Sequence, residues 1–503
     1  MKAHLLYRDR DVDFTIAQSG YPKWWEIQGP PTSDHSEALI QDLELQPILA
    51  AMADGDPVLS EIAKRVILAG IDDPEAILYR QQVLDDCLRN EAVVRQMLAI
   101  ASSAVDKARR LPSWGINRPE GLLRRSLEVL GLYVQLLRRL RAIADEYAGS
   151  FTSPGLSALF ATLRAELDDD YLHLVDAHLE TLRFAHGIPV SAKFGPGLKP
   201  SRFVLRTAVD TKLSFKERLG IGPRTEYHWD LPPRDEAGAR ALSELNDKAL
   251  VQVADAVGQS ANHISSFFVM LWIELGFYTA CLNLADRYRQ QDQPICFPVP
   301  RPPRPRRLRF EDLCDASLAL HPDQRVVGND ADADDKDLIV ITGANSGGKS
   351  TFLRSVGLAQ IMMQAGMFVC ATSFTASTAT RVFTHFIRGE DPTMTSGKLD
   401  EELARMSSIV DQLTPDCYML FNESFAATNE REGSEIARQI VGALLDSGVL
   451  VSFVTHQYTL ASSLLRENRN RSLFLRADRT REGARTFKLV QGEPLRTSFG
   501  EDL

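Results

Sequence analysis

The sequence is poor in cysteine and has no excess of positive charge, and each shortage excludes a class of protein. Its 503 residues include six cysteines, which are scattered and form no C-x-x-C pair. A disulfide-stapled secreted domain is therefore excluded, and we expect reduced, buried thiols. The formal net charge of −10 excludes a protein that is basic over its whole surface. Any nucleic-acid contact must come from a local basic face.

The N-terminus lacks the apolar core of a signal peptide. Charged residues interrupt MKAHLLYRDRDVDF, so export is not expected and the predicted location is cytoplasmic. Residues 267–285 form an apolar stretch that is long enough to cross a bilayer, but Glu274 lies near its centre. We interpret this stretch as a buried helix and expect no membrane association.

The chain length allows about three domains, and the pattern of apolar residues changes along it. After an N-terminal segment (1–34), apolar positions three and four apart predict a mainly α-helical region over 35–293, with a β-prone insertion at about 188–232. The proline- and arginine-rich segment 294–310 predicts a linker that is neither helix nor central strand. Over 311–503, strands alternate with helices, which is typical of a three-layer α/β domain with a mainly parallel sheet.

The strongest motif is ITGANSGGKST, which follows a predicted strand and precedes a predicted helix. Gly343, Gly348, Lys349 and Ser350 fit the pattern G-x-x-x-x-G-K-[ST]. The glycines let backbone N–H groups face phosphates, Lys349 supplies positive charge, and Ser350 offers a hydroxyl to Mg²⁺. The predicted nucleotide-binding residues of this loop are Gly343, Ala344, Asn345, Ser346, Gly347, Gly348, Lys349, Ser350 and Thr351.

Two further apolar strands end in residues suited to phosphate chemistry. CYMLFNES carries Asn422 and Glu423 at its tip, where a nucleotidase ordinarily shows Asp-Glu. LVSFVTHQ ends in Thr455-His456, and a histidine there can sense the γ-phosphate. A lone histidine is commonly only a polar strand end, but the order of loop, acidic strand and histidine favours the functional interpretation.

The order and spacing of these motifs resemble the ATPase domain of the MutS family of DNA mismatch-repair proteins, a branch of the ABC-type ATPases. The resemblance covers about 320–500, including Asn329-Asp330 and the closing hairpin FKLVQGEPLRTSFG, and it is weaker over 40–290. It implies an α/β P-loop ATPase domain of the ABC type. It also implies that the preceding helical region is the family's core and lever, with a small β insertion.

The resemblance also implies roles for individual residues, with ATP and Mg²⁺ as cofactors. Asn329 joins the ATP-binding set, Glu423 matches the catalytic glutamate, and His456 matches the histidine of the last strand. Asn422 replaces the aspartate that holds Mg²⁺ through water, so we expect a slow ATPase that holds Mg²⁺ with Ser350 and Asn422. The resemblance further implies a homodimer in which each ATP site is completed by a short segment of the partner protomer, the signature segment. It corresponds to Ser396, Gly397 and Lys398 here, although the family's Ser-Thr is missing.

Several expectations about partners stay open at the level of sequence. No G-x-[FY]-x-E element opens the chain, so DNA binding without mismatch reading is expected, and the chain stops where relatives continue into dimer-stabilising helices. The alternatives are a nucleotide-dependent protein–protein switch or a weakly hydrolysing ATP-binding scaffold. Basic residues in the helical region and in the linker could contact nucleic acid or lie on solvated and acidic surfaces. The helical set is Lys107, Arg109, Arg110, Arg118, Arg124, Arg125, Arg138, Arg139 and Arg141, and the linker set is Arg301, Arg304, Arg306, Arg307 and Arg309.

Overall fold

A computed structural model describes residues 1–19, 24–28, 34–111, 117–185, 187–195, 200–206, 230–232, 234–324, 326–344, 347–388, 397–480 and 484–495. The chain divides into two compact units. The first unit comprises residues 1–3, 96–149 and 158–272, and the second comprises residues 4–95, 150–157 and 273–503.

Helices dominate the first half of the chain, and strands alternate with helices in the second half. The helices are α1 (Asp34–Asp42), α2 (Gln46–Ala53), α3 (Pro57–Ala69), α4 (Pro74–Arg89), α5 (Glu91–Arg110), α6 (Pro119–Tyr147), α7 (Pro154–Glu166), α8 (Asp169–Leu182), α9 (Glu236–Gln290), α10 (Lys349–Gln364), α11 (Lys398–Val410), α12 (Glu430–Asp446) and α13 (Tyr458–Asn468). The strands are β1 (Thr15–Ser19), β2 (Trp24–Gln28), β3 (Val190–Phe194), β4 (Pro200–Leu205), β5 (Val299–Arg301), β6 (Leu308–Leu313), β7 (Asn329–Asp332), β8 (Leu338–Thr342), β9 (Ser373–Ser377), β10 (Val382–Phe386), β11 (Tyr418–Asn422), β12 (Leu450–Val454), β13 (Ser472–Arg479) and β14 (Arg485–Gln491).

Acidic side chains cap the start of several helices. Asp73 precedes α4 and its side chain accepts a hydrogen bond from the amide of Glu75, with Pro74 at the first helical position. Asp56 caps α3 in the same way. These side chains satisfy amide groups that the first turn of a helix leaves without partners.

Helix α9 is the long apolar helix in which the possible membrane span lies. Among the described residues it is the one helix long and apolar enough to cross a membrane, and 89% of its most apolar window is buried inside the protein. Glu274 in that window is fully buried and accepts a 3.0 Å hydrogen bond from the amide of Leu5. The interpretation as a buried helix is therefore confirmed.

The small β insertion lies in the first unit. Strands β3 and β4 pair antiparallel there. Residues 207–229, which the predicted insertion also includes, lie outside the described residues.

A six-stranded sheet in the second unit has the order β10-β11-β12-β8-β13-β14. Its first five strands run parallel and β14 pairs antiparallel with β13, which confirms the predicted mainly parallel sheet. One core of buried residues joins this sheet to α11, α12 and α13. Because β11 lies beside β12, and β12 beside β8, the carboxyl ends of these strands meet at one edge of the sheet.

The segment 294–310 is not the irregular linker that its prolines predict. Val299–Arg301 forms β5, an edge strand of a second sheet ordered β5-β9-β6-β7, and β6 begins at Leu308. Residues 4–95 also belong to the same compact unit as 273–503, so the structure does not divide at 293. The physical reason is that β-pairing and contacts with α4 tie this segment into the unit.

Four arginines of this segment bind acidic side chains of the same unit: Arg304, Arg306, Arg307 and Arg309. Arg306 is buried and lies 2.8 Å from Asp416 and 3.4 Å from Asp337. Arg309 lies 2.8 Å from Asp332 and 3.0 Å from Asp334. Of the two interpretations that the sequence leaves open for these arginines, the structure favours pinning to acidic surfaces.

Candidate functional site

The glycine-rich loop connects β8 to α10 through backbone conformations that favour glycine. Gly343 has φ +126° and Gly348, which precedes the first residue of α10, has φ +87°. A side chain at Gly343 would also place its Cβ 2.9 Å from the Cβ of Ala477. The loop therefore requires glycine at both positions, and it leads into the positive end of the α10 dipole. Asn345 and Ser346 lie outside the described residues.

Lys349 is buried at the start of α10, with 4% of its surface exposed. Its Nζ donates a 3.0 Å hydrogen bond to the Ala344 carbonyl and lies 4.0 Å from Glu423 Oε1. Burial lowers the pKa of Lys349, and the charge of Glu423 opposes that shift. A buried ammonium with one close acceptor and a carboxylate only at 4.0 Å is placed to bind a further negative group.

The tip of β11 lies directly opposite the loop. Ser350 Oγ donates a 2.9 Å hydrogen bond to Asn422 Oδ1, which brings together the two residues predicted to hold Mg²⁺. Glu423 follows with φ +55°, and its amide donates to the Val454 carbonyl of β12. The left-handed backbone at Glu423 turns the chain out of the strand.

Glu423 and His456 lie together at the edge of the sheet, with His456 Nδ1 3.7 Å from Glu423 Oε1. Contact with His456 is the main cause that lowers the pKa of Glu423, and Lys349 adds to it. The same contact raises the pKa of His456 against the effect of burial. Glu423 is therefore ionised at neutral pH and available as a proton acceptor.

A cavity of about 630 Å³ lies beside these groups, a volume typical of small-molecule sites. Five residues of the predicted site line it: Gly348, Lys349, Ser350, Thr351 and Glu423. It also has walls that the motifs do not indicate: Asp315, Leu318, Gln324, Val326, Val327, Phe352, Ser355 and Phe487. The signal that could have found part of this wall is the Val326-Val327 pair just before Asn329.

Asn329 lines the cavity, but its amide is already bonded to strand β14. Its Oδ1 accepts from the amide of Leu489 at 2.7 Å, and its Nδ2 donates to the carbonyl of Phe487 at 3.3 Å. Phe487, with φ +59°, is held at the cavity by this contact. A direct contact of Asn329 with nucleotide stays a prediction, whereas its support of the Phe487 wall is observed.

The predicted signature segment lies at the start of α11. Gly397 precedes the first residue of this helix and is exposed, and Lys398 is its first residue. Neither is among the described residues that line the cavity, and their role as a segment donated to a partner protomer stays a prediction. Ser396 lies outside the described residues.

The residues present fit a nucleoside triphosphate and a magnesium ion. The cavity joins a buried ammonium, a helix N-terminus and an apolar wall, which suit phosphates and a base respectively. Ser350 Oγ and Asn422 Oδ1 are oxygen ligands of the kind that Mg²⁺ prefers. Asn422 supplies one neutral oxygen where an aspartate would bring a charge.

Comparison with known proteins matches both halves of the chain to one family. The model of the MutS2 N-terminal domain matches residues 72–291, and the model of MutS domain V matches residues 339–502. DNA mismatch repair protein MutS from Methanococcoides burtonii is 33% identical over 159 residues, which is 30% of this chain and 18% of that protein. The protein of the same name from Leptospira interrogans (serovar Lai) is 32% identical over 161 residues, 30% of this chain and 19% of that protein.

These alignments cover less than a fifth of the length of the two relatives, so they bear on the matched segment alone. The second family model, over residues 339–502, covers the loop, the strand tips and the Glu423–His456 contact described above. Two models of one family, matched in order along the chain, show that this chain belongs to the MutS family.

Proposed function

We propose that this chain binds and hydrolyses ATP with Mg²⁺, as an α/β P-loop ATPase of the ABC type, and that it acts on DNA. The observation that carries the proposal is the meeting of Lys349, Ser350 and Glu423 at one cavity, with Asn422 hydrogen-bonded to Ser350. These are the charge, the metal ligands and the base that phosphoryl transfer to water requires.

Each group has a distinct task in the proposed hydrolysis. Backbone amides of the loop and Lys349 Nζ bind the phosphates and offset charge that develops on them. Mg²⁺, when bound beside Ser350 and Asn422, would neutralise further phosphate charge. Glu423 accepts the proton of the attacking water, and His456 holds the Glu423 carboxylate at the edge of the sheet.

One experiment tests the ATPase proposal and its link to DNA. ATP turnover and nucleotide affinity are measured for the wild type and for Lys349→Ala, with matched, mispaired and branched DNA. Loss of the buried ammonium should weaken ATP binding by at least about a hundredfold, because the triphosphate then sits in the loop with its charge uncompensated. The matched control is Lys336→Ala, because the Lys336 ammonium donates to the Asn470 carbonyl and does not line the cavity.

If Lys349→Ala binds nucleotide as tightly as the wild type, the ATPase proposal is overturned. If none of the DNAs changes the rate of ATP turnover and none binds at low salt, the results would instead support a protein–protein switch. We expect binding to follow backbone charge and shape, with little preference for a mispair over matched duplex. The support for DNA as partner is family membership together with exposed basic residues such as Lys107 and Arg139.

The partly buried arginines of the helical set give weaker support for a DNA-binding face. Arg125 donates to the Leu111 carbonyl, Arg138 binds Asp176, and Arg141 binds Asp145. Guanidinium groups that stabilise the fold in this way are less available to phosphates. Any contact with DNA in this unit is therefore expected from the exposed residues of the set, which are Lys107, Arg110, Arg118, Arg124 and Arg139.

A second candidate function, a weakly hydrolysing ATP-binding scaffold, is favoured by one observation. Asn422 Oδ1, a neutral oxygen, is the atom that meets Ser350 Oγ. Measuring turnover beside nucleotide affinity separates the two candidates, because a scaffold binds ATP tightly and turns it over very slowly.

A further inference from the structure

A buried carboxylate on α11 binds the backbone just behind Glu423. Glu402 is 1% exposed, and its Oε2 accepts a 2.5 Å hydrogen bond from the amide of Phe425. Its other oxygen, Oε1, is buried and has no hydrogen-bond partner among the described residues. Burying a carboxylate is costly, so this contact has to be explained by what it holds in place.

A second set of hydrogen bonds runs parallel to the first. His385 Nε2 lies 3.0 Å from the Glu402 carbonyl, and His385 Nδ1 lies 2.8 Å from Ser424 Oγ. A carbonyl can only accept, so Nε2 carries the proton and donates to Glu402. Burial lowers the pKa of His385 to about 4, so the ring is neutral at pH 7 and Nδ1 is an acceptor. The Ser424 hydroxyl lies within hydrogen-bond distance of both Nδ1 and the His385 carbonyl, and its single proton serves one of them at a time.

The backbone that these bonds hold has an unfavourable conformation. Glu423 has φ +55° and Phe425 has φ +62°, and neither is glycine. Each left-handed residue of this kind persists only where its surroundings fix it. The loop is also confined from the opposite side, because a Cβ added at Gly433 of α12 would lie 2.2 Å from the Phe425 carbonyl oxygen.

We propose that Glu402 is a positioning residue that fixes the loop bearing Glu423, and that it links this loop to the start of α11. The proposal rests on the ATPase function proposed above. Glu402 lies just over one turn beyond Gly397 and Lys398 along α11. A nucleotide of a partner protomer that binds the start of α11 would thereby act on the Glu423 loop of this protomer.

The test compares two substitutions of Glu402 in the full chain. Glu402→Gln keeps an acceptor oxygen for the Phe425 amide, whereas Glu402→Met has a similar volume and no acceptor. We expect Glu402→Met to lower kcat by about ten- to hundredfold, because an unpaired amide and a loosened loop misplace Glu423. Glu402→Gln should keep most of the activity, and both variants should bind a non-hydrolysed ATP analogue within about twofold of the wild type.

Hydrogen exchange provides a readout that does not depend on hydrolysis. Amides of a peptide spanning 421–427 should exchange faster in Glu402→Met and stay protected in Glu402→Gln. The control is Glu435→Met on α12, which removes an exposed carboxylate paired with Arg438 and should change neither readout.

Failure of this proposal differs from failure of the proposed function. If the wild type hydrolyses ATP and Glu402→Met has the same kcat and exchange, Glu402 does not position the loop although the ATPase function stands. If the wild type hydrolyses no ATP, the ATPase function fails, and exchange over 421–427 still decides whether Glu402 holds the loop. Equal loss of activity in Glu402→Gln and Glu402→Met would also overturn the proposal, since the retained acceptor then makes no difference.

Discussion

Asn422 places a neutral amide oxygen 2.9 Å from the Ser350 hydroxyl, where an aspartate would bring a full negative charge. We expect Asn422→Asp to lower the Mg²⁺ concentration needed for half-maximal turnover by about tenfold or more, because a charged ligand gains about 1.5–3 kcal/mol over a neutral one. The measurement is ATP turnover titrated against Mg²⁺.

Two comparisons make this prediction specific. Asn470→Asp makes the same chemical change in an exposed turn and should leave the Mg²⁺ requirement unchanged, while Glu423→Gln should abolish hydrolysis in either background. Glu430 and Glu432 could replace the missing charge, but their carboxylates bind the hydroxyls of Thr459 and Thr428. An unchanged Mg²⁺ requirement in Asn422→Asp would show that the site is adapted to the amide.

At the scale of elements, Arg306 joins the segment before β6 to the turns that precede β11 and β12. Besides its ion pair with Asp416, its guanidinium donates to the Gly448 carbonyl at 2.6 Å. Arg306→Met should destabilise the second unit by about 3 kcal/mol, since it removes a buried guanidinium that binds the half-buried Asp416 and the Gly448 carbonyl. Urea unfolding measures the effect.

Arg304→Met is the matched control, because Arg304 binds the same Asp416 from a position that is 61% exposed. An exposed pair contributes less than about 1 kcal/mol, so the unfolding midpoint should hardly move. Equal effects of the two substitutions would mean that the buried hydrogen bonds of Arg306 contribute nothing of their own.

Helix α9 makes stability depend on pH through Glu274. Burial raises the pKa of Glu274 from 4.5 to about 8, with Asp11 adding to the shift and Arg80 opposing it. A carboxyl whose pKa is higher in the folded state stabilises the fold fully below pH 4.5, and that contribution is lost as pH rises to about 8.

The wild type should therefore lose up to about 4 kcal/mol of its free energy of unfolding between pH 5 and 8 through Glu274, and Glu274→Gln should not show this loss. Its amide oxygen can still accept from Leu5. Urea unfolding of the wild type and the variant across this range measures the difference, and Glu244→Gln, an exposed site on the same helix, is the control. Parallel pH profiles for wild type and Glu274→Gln would contradict the prediction.

The elements with clear periodicity were predictable from the sequence, and contacts between distant segments were not. The spacing of Gly343, Gly348, Lys349 and Ser350 predicts a phosphate-binding turn, and the strands around it are visible in the sequence as apolar runs. Phe487 lines the cavity because Asn329 binds β14 across a large separation in sequence. The prolines of 294–310 predict a linker, but strand β5 of this segment pairs with β9, which lies about 70 residues further along the chain.

At the scale of the whole molecule, the position of α11 favours a dimer that depends on nucleotide. Gly397 and Lys398 are not among the described residues at the cavity of their own chain, although the family resemblance assigns them to an ATP site. Leu403 and Val410 of the same helix are apolar and exposed, at 37% and 51%. A partner protomer would give both features a function.

We therefore expect ATP with Mg²⁺ to shift the chain from monomer to a two-fold dimer. If each ATP contacts both protomers, it binds the dimer more tightly and stabilises it by mass action, by about 2.7 kcal/mol at a ligand concentration a hundred times Kd. Sedimentation velocity of Glu423→Gln, which should bind ATP without consuming it, measures the shift with and without nucleotide. Glu423→Gln combined with Lys349→Ala is the control and should stay monomeric, because the loop then lacks the ammonium that binds the phosphates. A strict monomer at tens of micromolar with saturating ATP and Mg²⁺ would contradict the dimer, and it would leave the exposed face of α11 to another partner.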